Sequence, residues 1–277
     1  MGGNNGLRLK FWGVRGSTPT PQIDNLSYGG NTACIEIRSP GDQVVILDAG
    51  SGLRKLGQSL LQETGNSRLS VHFLLTHFHW DHIQGIPFFS PLYRSETDAT
   101  FYTSQALGPI EEKLQGQMSR PYFPIAFEVL AARRQFAELD DKPFKLADLV
   151  IHPFPMNHPQ GAVGYRIEAG NKVIVHASDL EHGHPQLDKV LRQYAEGADV
   201  LVYDAQFTPE EYESHKGWGH STWLEATRLA HEARVKTLVL FHHDPWHNDQ
   251  TVFEIVQQAR LFFDNTLGAT EGWHVCL

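Results

Sequence analysis

The sequence is poor in cysteine and has no long apolar run. Its 277 residues include two cysteines, Cys34 and Cys276, too few and too far apart for a disulfide framework or a cysteine-based zinc site. No segment approaches the ~18 consecutive apolar residues of a membrane span, and residues 1–10 do not resemble a signal peptide. We therefore expect a cytoplasmic protein with no membrane partner.

Cationic side chains are in the minority. The chain has 23 Lys and Arg residues against 32 Asp and Glu residues, which gives a formal net charge of −9. A broad basic surface for extended nucleic acid is therefore disfavoured, although a local basic groove would not show in this sum. Histidine, in contrast, is abundant, with 16 residues. Because histidine is the commonest metal ligand and a frequent acid–base residue, clusters of histidine mark candidate sites.

The chain divides into two halves with a similar order of elements. The first has β-rich segments followed by a helical pattern at 53–62, and the second has β-rich segments followed by a helical pattern at 222–233. Residues after 86 are less regular, and we expect an insertion or lid rather than a sheet strand at 107–136. These patterns predict two sheet-plus-helix halves stacked face to face as one four-layer domain over residues 1–277.

The densest group of metal-competent side chains follows the apolar run at 71–75. Residues 76–85 read THFHWDHIQG, with the pattern H-x-H-x-D-H. Side chains two apart on an extended chain point the same way, so His77 and His79 can bind one cation. Asp81 and His82, where the chain turns, can reach a second cation. The alternative is a polar loop with solvated histidines, and a zinc-protease helix is excluded because its two histidines stand four apart with a glutamate between them.

This motif resembles the signature loop of the metallo-β-lactamase superfamily. The resemblance implies an α+β fold, a four-layer αβ/βα sandwich of two mixed β-sheets flanked by helices. It also implies three further metal ligands, each placed after a predicted strand. His158 would complete the first metal site with His77 and His79, Asp179 would bridge the two metals, and His242 would complete the second site.

Neighbouring residues compete for two of these positions. Glu181 and Asp188 lie near Asp179 in the sequence, but the spacing of the family favours Asp179. His242 and His243 point to opposite sides if the strand continues, so only one can bind, and the family register favours His242. The implied cofactors are two divalent metal ions. Zn²⁺ suits the imidazole-rich set, and Mn²⁺ is an alternative because carboxylates share the site.

A second pair of residues resembles ribonuclease Z and its relatives within this superfamily. His220 lies in the glycine-flanked sequence GWGHST before a predicted helix, and Asp204 follows a predicted strand in the sequence YDAQF. In those relatives, an acid from a short motif ending in Ala-x-Phe orients such a histidine. The resemblance implies that His220 donates a proton or stabilises the transition state, with Asp204 as its partner. The acid of those relatives is usually Glu preceded by His, whereas this chain has Asp204 preceded by Tyr203. The alternative is that Asp204 and His220 only cap a loop and a helix start.

Two residues of the glycine-rich segments are candidates for supporting roles. Asp48, at the end of a predicted strand, is expected to hydrogen-bond the metal-ligand loop. Arg15, in the sequence FWGVRGSTP, has two interpretations: contact with a substrate phosphate, or a surface salt bridge.

The resemblance implies a phosphodiesterase that hydrolyses a small phosphodiester, such as a cyclic nucleotide, by attack of a metal-bound hydroxide. Asp81 would both bind the second metal and handle the proton of the attacking water. Alternatives are a ribonuclease Z-like endonuclease acting on transfer-RNA 3′ ends, a lactonase or thioesterase, and a metal-binding sensor without turnover. The net charge and the lack of a basic, glycine-rich arm disfavour the endonuclease. The resemblance also implies a homodimer.

Aromatic and sulfur-containing side chains stand out in the predicted insertion. Met118, Tyr122 and Phe123 would either stack on a base and close over a small substrate, or pack the insertion onto the domain.

Overall fold

The computed structural model describes residues 6–277, whose strands form two seven-stranded sheets. The first sheet has the order β14-β1-β2-β3-β4-β5-β6. Its strands are β1 (Arg8–Gly13), β2 (Cys34–Arg38), β3 (Val44–Leu47), β4 (Leu69–Leu74), β5 (Thr97–Ser104), β6 (Arg133–Leu139) and β14 (His274–Cys276). Strands β14 to β3 pair antiparallel, and β3 to β6 pair parallel.

The second sheet repeats this arrangement with the order β13-β12-β11-β10-β9-β8-β7. Its strands are β7 (Phe144–Leu146), β8 (Leu149–Met156), β9 (Ala162–Ala169), β10 (Lys172–Ala177), β11 (Val200–Asp204), β12 (Thr237–Phe241) and β13 (Thr266–Gly268). Strands β7 to β10 pair antiparallel, and β10 to β13 pair parallel. Both sheets are therefore mixed, as predicted.

Helices cover the outer faces of the sheets. They are α1 (Leu53–Thr64), α2 (Trp80–Ile83), α3 (Ile110–Gln117), α4 (Pro185–Ala195), α5 (Pro209–His215), α6 (Trp223–Glu232) and α7 (Asp249–Phe262). Helix α6 begins after Thr222, whose side chain accepts a hydrogen bond from the backbone amide of Glu225 and satisfies one free donor of the first turn. Within the described residues, no helix is both long and apolar enough to cross a membrane.

Three clusters of buried side chains hold the layers together. The central cluster contains Leu9 and Ile35 from the first sheet, and Tyr165 and Val202 from the second, so the two sheets pack face to face. The outer clusters join each sheet to its own helices, through α1 on one side and α6 and α7 on the other. The order is therefore helix, sheet, sheet, helix, which confirms the predicted sandwich.

The region after residue 86 is more regular than its sequence indicates. Residues Thr97–Ser104 form β5, and the predicted insertion ends earlier than 136 because Arg133–Leu139 form β6. Buried positions alternate along β5, but several of them are Thr or Ala, so the sequence lacks a clear apolar alternation. The segment between these two strands, residues 105–132, contains α3 and packs on the first sheet.

Candidate metal centre

The candidate ligands lie in loops that follow strands of both sheets. His77 follows β4, His158 follows β8, Asp179 follows β10 and His242 follows β12. The strands β10, β11 and β12 run parallel, so their carboxyl ends meet at one edge of the second sheet. The loop after β4 reaches the same edge from the first sheet, which places the site at the mouth between the two sheets.

Three histidines form the first cluster. One ring nitrogen from each of His77, His79 and His158 lies within 4.8 Å of the others. The Nε2 atom of His158 is 3.2 Å from Nδ1 of His79, and the ring centroids of His77 and His79 are 4.4 Å apart. His77 and His158 are buried and His79 is half-buried, so His79 stands on the open side of this cluster.

Two carboxylates and two histidines form the second cluster, and all four side chains are buried. The Oδ1 and Oδ2 atoms of Asp179 are 3.3 Å from Nε2 of His242 and 3.1 Å from Nε2 of His82. The Oδ2 atom of Asp81 is 3.2 Å from Nε2 of His242. Asp179 also approaches the first cluster, because its Oδ1 atom is 3.9 Å from Nε2 of His77.

The hydrogen bonds of the outer ring nitrogens show which nitrogens are free. Nδ1 of His158 donates to the Gly219 carbonyl oxygen at 2.8 Å, and Nδ1 of His82 donates to Asp48 at 2.8 Å. Nδ1 of His242 donates to Oε1 of Gln206 at 2.9 Å. Since each Nδ1 is held by an acceptor, Nε2 is the ring nitrogen that faces the site, and it would bind a metal after loss of any proton that it carries.

Two features of the inner atoms fit bound cations. The Nε2 atoms of His82 and His242 are 3.3 Å apart, and both face the carboxylate of Asp179. The Nε2 atom of His77 is buried and has no hydrogen-bond partner. Imidazole nitrogens and carboxylate oxygens that converge on one point suit a metal ion, and this combination of ligand types suits Zn²⁺ or Mn²⁺.

The electrostatics of the site favour positive charge. Burial opposes the charge of Asp179, but His242 and His82 hold the pKa of its carboxyl well below the ordinary value. Burial also opposes a proton on His82, yet Asp179, Asp81 and Asp48 raise the pKa of His82 well above its ordinary value. Burial lowers the pKa of His77 well below its ordinary value, which keeps this imidazole neutral and able to bind a metal.

Backbone strain is concentrated at the same place. Three residues, Asp48, Asp179 and His242, have φ angles of 57°, 62° and 61°. These angles lie in the left-handed region that residues other than glycine rarely adopt. Each residue lies at the end of a buried strand, and each turns its side chain toward the clusters. Strain of this kind persists where the surrounding structure enforces it, and it is common at functional sites.

His220 and Asp204 form an ion pair beside both clusters. Nδ1 of His220 donates to Oδ2 of Asp204 at 2.9 Å, and the ring centroids of His220 and His242 are 4.9 Å apart. Burial opposes the imidazolium, but the Asp204 carboxylate outweighs this effect and raises the pKa of His220 to about 9. Asp204 is fixed in turn, because its Oδ2 atom also accepts a hydrogen bond from the amide of Asp179 at 3.0 Å.

Two glycines allow loops to approach the ligands closely. A Cβ atom on Gly219, which has a φ of 89°, would lie 2.5 Å from Nδ1 of His158. A Cβ atom on Gly16 would lie 2.4 Å from Nδ1 of His242. Both loops therefore need glycine at these positions.

The residues that the sequence offers as alternatives to Asp179 and His242 make contacts away from the two clusters. The Nε2 atom of His243 donates to the Ala269 carbonyl oxygen at 2.9 Å, so this ring faces away from the clusters. The carboxylate of Asp188 accepts a hydrogen bond from the backbone amide of Gly183 at 2.8 Å, and the carboxylate of Glu181 accepts hydrogen bonds from the loop that carries His220.

Sequence reasoning identified one supporting residue and missed two. Asp48 accepts hydrogen bonds from the amide of Thr76 at 2.8 Å and from His82, which confirms the expected contact with the ligand loop. Gln206 was missed, although it stands in the same YDAQF segment as Asp204. The amide of Ser17 was also missed, and it donates to Oδ2 of Asp81 at 2.7 Å.

The structure excludes both interpretations of Arg15 and decides between the two alternatives for Met118. Arg15 contacts neither a surface carboxylate nor the candidate site: it is fully buried, and its guanidinium donates to the carbonyl oxygens of Gly29, Asp244 and His247. Met118 is buried in the cluster beneath α3, so it packs the segment onto the sheet and is not free to stack on a base.

Comparisons with known proteins agree with this geometry. The sequence profile of the beta-lactamase superfamily domain matches residues 43–243. A ribonuclease Z of Haloarcula marismortui is 24% identical over 314 aligned positions, which cover 96% of this chain and 94% of that protein.

Solved structures share the same architecture. The metallo-β-lactamase fold protein YhfI from Bacillus subtilis superposes with a TM-score of 0.73 at 20% identity, over 97% of this chain and 98% of that chain. A diphosphatase of the PhnP family superposes with a TM-score of 0.70 at 17% identity, over 98% of this chain and 99% of that chain. At these identities the likeness shows a shared fold.

Proposed function

Because the chain belongs to the metallo-β-lactamase superfamily, we propose that it is a binuclear metal-dependent hydrolase that cleaves small phosphodiesters, with cyclic nucleotides as the substrate class. The observation that carries this proposal is the His220–Asp204 ion pair beside two clusters of metal-competent side chains. Relatives named ribonuclease Z and a diphosphatase of the PhnP family support chemistry at phosphorus.

The proposed ligands follow the two clusters. His77, His79 and His158 would hold the first metal, and His82, Asp81 and His242 the second. Asp179 would bridge them, which is supported by its approach to Nε2 atoms of both clusters. When bound, the two cations would polarise the phosphoryl group and supply an activated water near neutral pH. Zn²⁺ is the proposed metal, with Mn²⁺ as the alternative.

The chain's own residues would manage the protons. His220 holds one proton at Nδ1 for Asp204, and its Nε2 would give a second proton to the leaving alkoxide. Its positive charge would also stabilise the charge that builds up on the phosphoryl oxygens. Asp81 would accept the proton of the attacking water through Oδ1, because its Oδ2 atom faces His242 and accepts a hydrogen bond from the Ser17 amide.

The net charge of the chain supports a small substrate. The net charge of −9 opposes a long polyanion, because affinity for nucleic acid depends on Lys and Arg residues that neutralise phosphates. The similarity to ribonuclease Z nevertheless favours a second candidate, an endonuclease that acts on transfer-RNA 3′ ends.

The test compares substrates on one preparation. The Zn²⁺- or Mn²⁺-loaded protein is incubated with 3′,5′- and 2′,3′-cyclic nucleotides, precursor transfer RNA and a lactone, with Asp81→Ala as the control. Metal-dependent opening of a cyclic phosphate that the control lacks would support the proposal. Cleavage of only the RNA would favour the second candidate, cleavage of only the lactone would indicate a lactonase, and no turnover despite bound metal would indicate a sensor.

Three further properties stay predictions. We propose that residues 1–277 form one domain, of which residues 1–5 lie outside the described residues, with residues 105–132 as an insertion between β5 and β6. The homodimer implied by the resemblance is tested by sedimentation, and the cytoplasmic location by fractionation of the source cells.

A further inference from the structure

A small cavity opens beside the first cluster. It has a volume of about 120 Å³, and the rings of His77 and His79 form part of its wall. This volume lies well below the roughly 300–1,000 Å³ of pockets that enclose a whole ligand. The cavity therefore suits one substituent of a ligand whose reacting group lies at the metal centre. We call it the Lys113 cavity, lined also by Phe78, Leu107, Lys113 and Gly161.

Lys113 supplies the only cationic side chain in this wall apart from the histidines. Among residues 6–277, no carboxylate lies within 4.0 Å of its ammonium group, whereas Lys55, for example, pairs with Glu271. The Lys113 ammonium instead lies 5.4 Å from the ring centroid of Phe78, the residue between the two histidine ligands. An ammonium group beside a metal centre without a carboxylate partner can neutralise an anion from outside the protein.

The acidic neighbours of Lys113 on the same helix have other environments. Glu111 accepts a hydrogen bond from the side chain of Gln115, one turn further along α3. Glu112 lines a separate cavity together with Met118 and Ser119. Neither residue lines the Lys113 cavity, so the charge of the cavity wall is set by Lys113 and the histidines.

The helix that carries Lys113 is anchored to the metal-ligand segment. Ile110 and Leu114 are buried beneath α3, and the side chain of Gln117 donates to the carbonyl oxygen of Ile83 at 2.8 Å. Ile83 directly follows His82 in α2. The backbone of Lys113 is therefore held at a fixed position relative to the ligands, and its exposed side chain extends along the cavity wall.

The opposite wall is closed by the loop after His158. A Cβ atom on Gly161 would lie 3.2 Å from Cδ2 of Leu107, so this loop and the 105–132 segment are in close contact. The cavity thus combines apolar groups, Gln160 and the Lys113 cation beside the candidate metal centre, and it has room for a group of phosphate size.

From these observations we propose that the Lys113 cavity binds a second anionic group of the substrate, a phosphate monoester, with Lys113 as its counter-ion. This proposal rests on the proposed function. It narrows the substrate class to phosphodiesters that also carry a terminal phosphate near the scissile bond.

The test uses two chromogenic diesters that differ by one phosphate. These are thymidine 5′-(p-nitrophenyl phosphate) and the same compound with a 3′-phosphate, each assayed with the Zn²⁺-loaded protein. The wild type should show a kcat/KM about fivefold to tenfold higher for the 3′-phosphorylated diester, as expected for a charge-assisted contact that is partly open to water. Lys113→Met should remove this preference, and Lys113→Arg should retain most of it.

A matched control removes the same charge elsewhere. Lys145 is exposed on the edge strand β7 of the second sheet, and Lys145→Met should keep the wild-type preference. Equal kcat/KM values for the two diesters in the wild type, or an unchanged preference in Lys113→Met, would overturn the proposal.

A binding measurement separates this proposal from the proposed function. If neither diester is hydrolysed, the proposed function fails, and calorimetry with thymidine 3′,5′-bisphosphate and thymidine 5′-phosphate still decides the role of the cavity. The bisphosphate should bind about fivefold to tenfold more tightly to the wild type and lose this advantage in Lys113→Met. Equal affinities in the wild type would contradict the assignment.

Discussion

The carboxylate of Glu181 accepts the backbone amide of Gly217 with both oxygens, at 2.8 and 2.9 Å. It also accepts the amide of Gly219 at 3.1 Å and the hydroxyl of Tyr212 at 2.8 Å. The backbone of Glu181 in turn binds Asn157, the residue before a proposed ligand. One residue therefore joins the loops that carry Asp179, His158 and His220, through its side chain on the His220 loop and through its backbone on the His158 loop.

Replacement of Glu181 should impair turnover through the position of His220. Glu181→Ala leaves the amides of Gly217 and Gly219 without their acceptor, so the loop is expected to shift. We predict a fall in kcat of about 10- to 100-fold for a cyclic phosphate, since small displacements of a catalytic group have effects of this size. Glu181→Gln keeps one acceptor oxygen and should recover part of the loss.

The control for this prediction is Glu213→Gln on α5, where Glu213 forms an exposed ion pair with Lys216. It should leave kcat unchanged. Wild-type kcat in Glu181→Ala, with zinc content unchanged, would show that Glu181 does not position His220.

The role of His220 and Asp204 should depend on the leaving group. An alkoxide needs a proton, whereas p-nitrophenolate leaves without one. Asp204→Asn removes the carboxylate that stabilises the protonated imidazole, and it should lower kcat for a cyclic nucleotide about 10²- to 10⁴-fold. Turnover of bis(p-nitrophenyl) phosphate should fall much less in both Asp204→Asn and His220→Ala.

Asp188→Asn serves as the matched control, because Asp188 binds a loop amide outside the clusters. Equal losses for the two substrates in His220→Ala would argue against proton donation and leave His220 a purely electrostatic or structural role.

Asp48 should govern metal affinity without binding metal. It accepts the Nδ1 proton of His82 and the amide of Thr76, so it orients one ligand and the loop of another. Asp48→Asn should weaken zinc binding about 10- to 100-fold, as removal of such partners does in other zinc sites. Competition with a chromogenic chelator measures this affinity. Asp98→Asn, on β5, should retain wild-type affinity, and the same affinity in Asp48→Asn would refute the prediction.

Arg15 should stabilise the folded state and take no part in turnover. Its buried guanidinium joins three backbone carbonyl oxygens, that of Gly29 in the loop between β1 and β2 and those of Asp244 and His247 in the loop after β12. Arg15→Met leaves those oxygens without a donor, and we expect the free energy of unfolding to fall by about 2–4 kcal/mol. Urea unfolding followed by circular dichroism measures this loss. The exposed Arg68→Met should leave the urea midpoint nearly unchanged, and a similar result for Arg15→Met would contradict the account.

The sequence was most informative where ligands are adjacent along the chain. His77, His79, Asp81 and His82 occupy six positions after a strongly apolar strand, so their pattern alone predicts a metal site. His158, Asp179 and His242 were found through the resemblance to a family. Only the pairing of strands in the sheets brings them close to the motif, and a single sequence does not encode that pairing in a local pattern.

The supporting contacts were harder to predict. Glu181 binds the amides of Gly217 and Gly219 because the backbone of their loop turns both amides toward it. No pattern of residues in the sequence predicts such a contact. Strand β5 was missed because Thr97, Ala99 and Thr103 fill buried positions that apolar periodicity does not mark. Residue propensity and apolar pattern therefore predict the strongly apolar strands. The strands with polar or small residues at buried positions form through tertiary contacts, which the local sequence does not show.

The central claim is that two metal ions act together at this site. The most direct measurement is a Zn²⁺ titration of the metal-free protein, with bis(p-nitrophenyl) phosphate turnover and bound zinc recorded at each step. The account predicts that activity rises steeply as the second equivalent binds and saturates at two per chain, and that Asp179→Ala loses both the second equivalent and the activity. Full activity at one equivalent per chain, or turnover independent of metal, would contradict it.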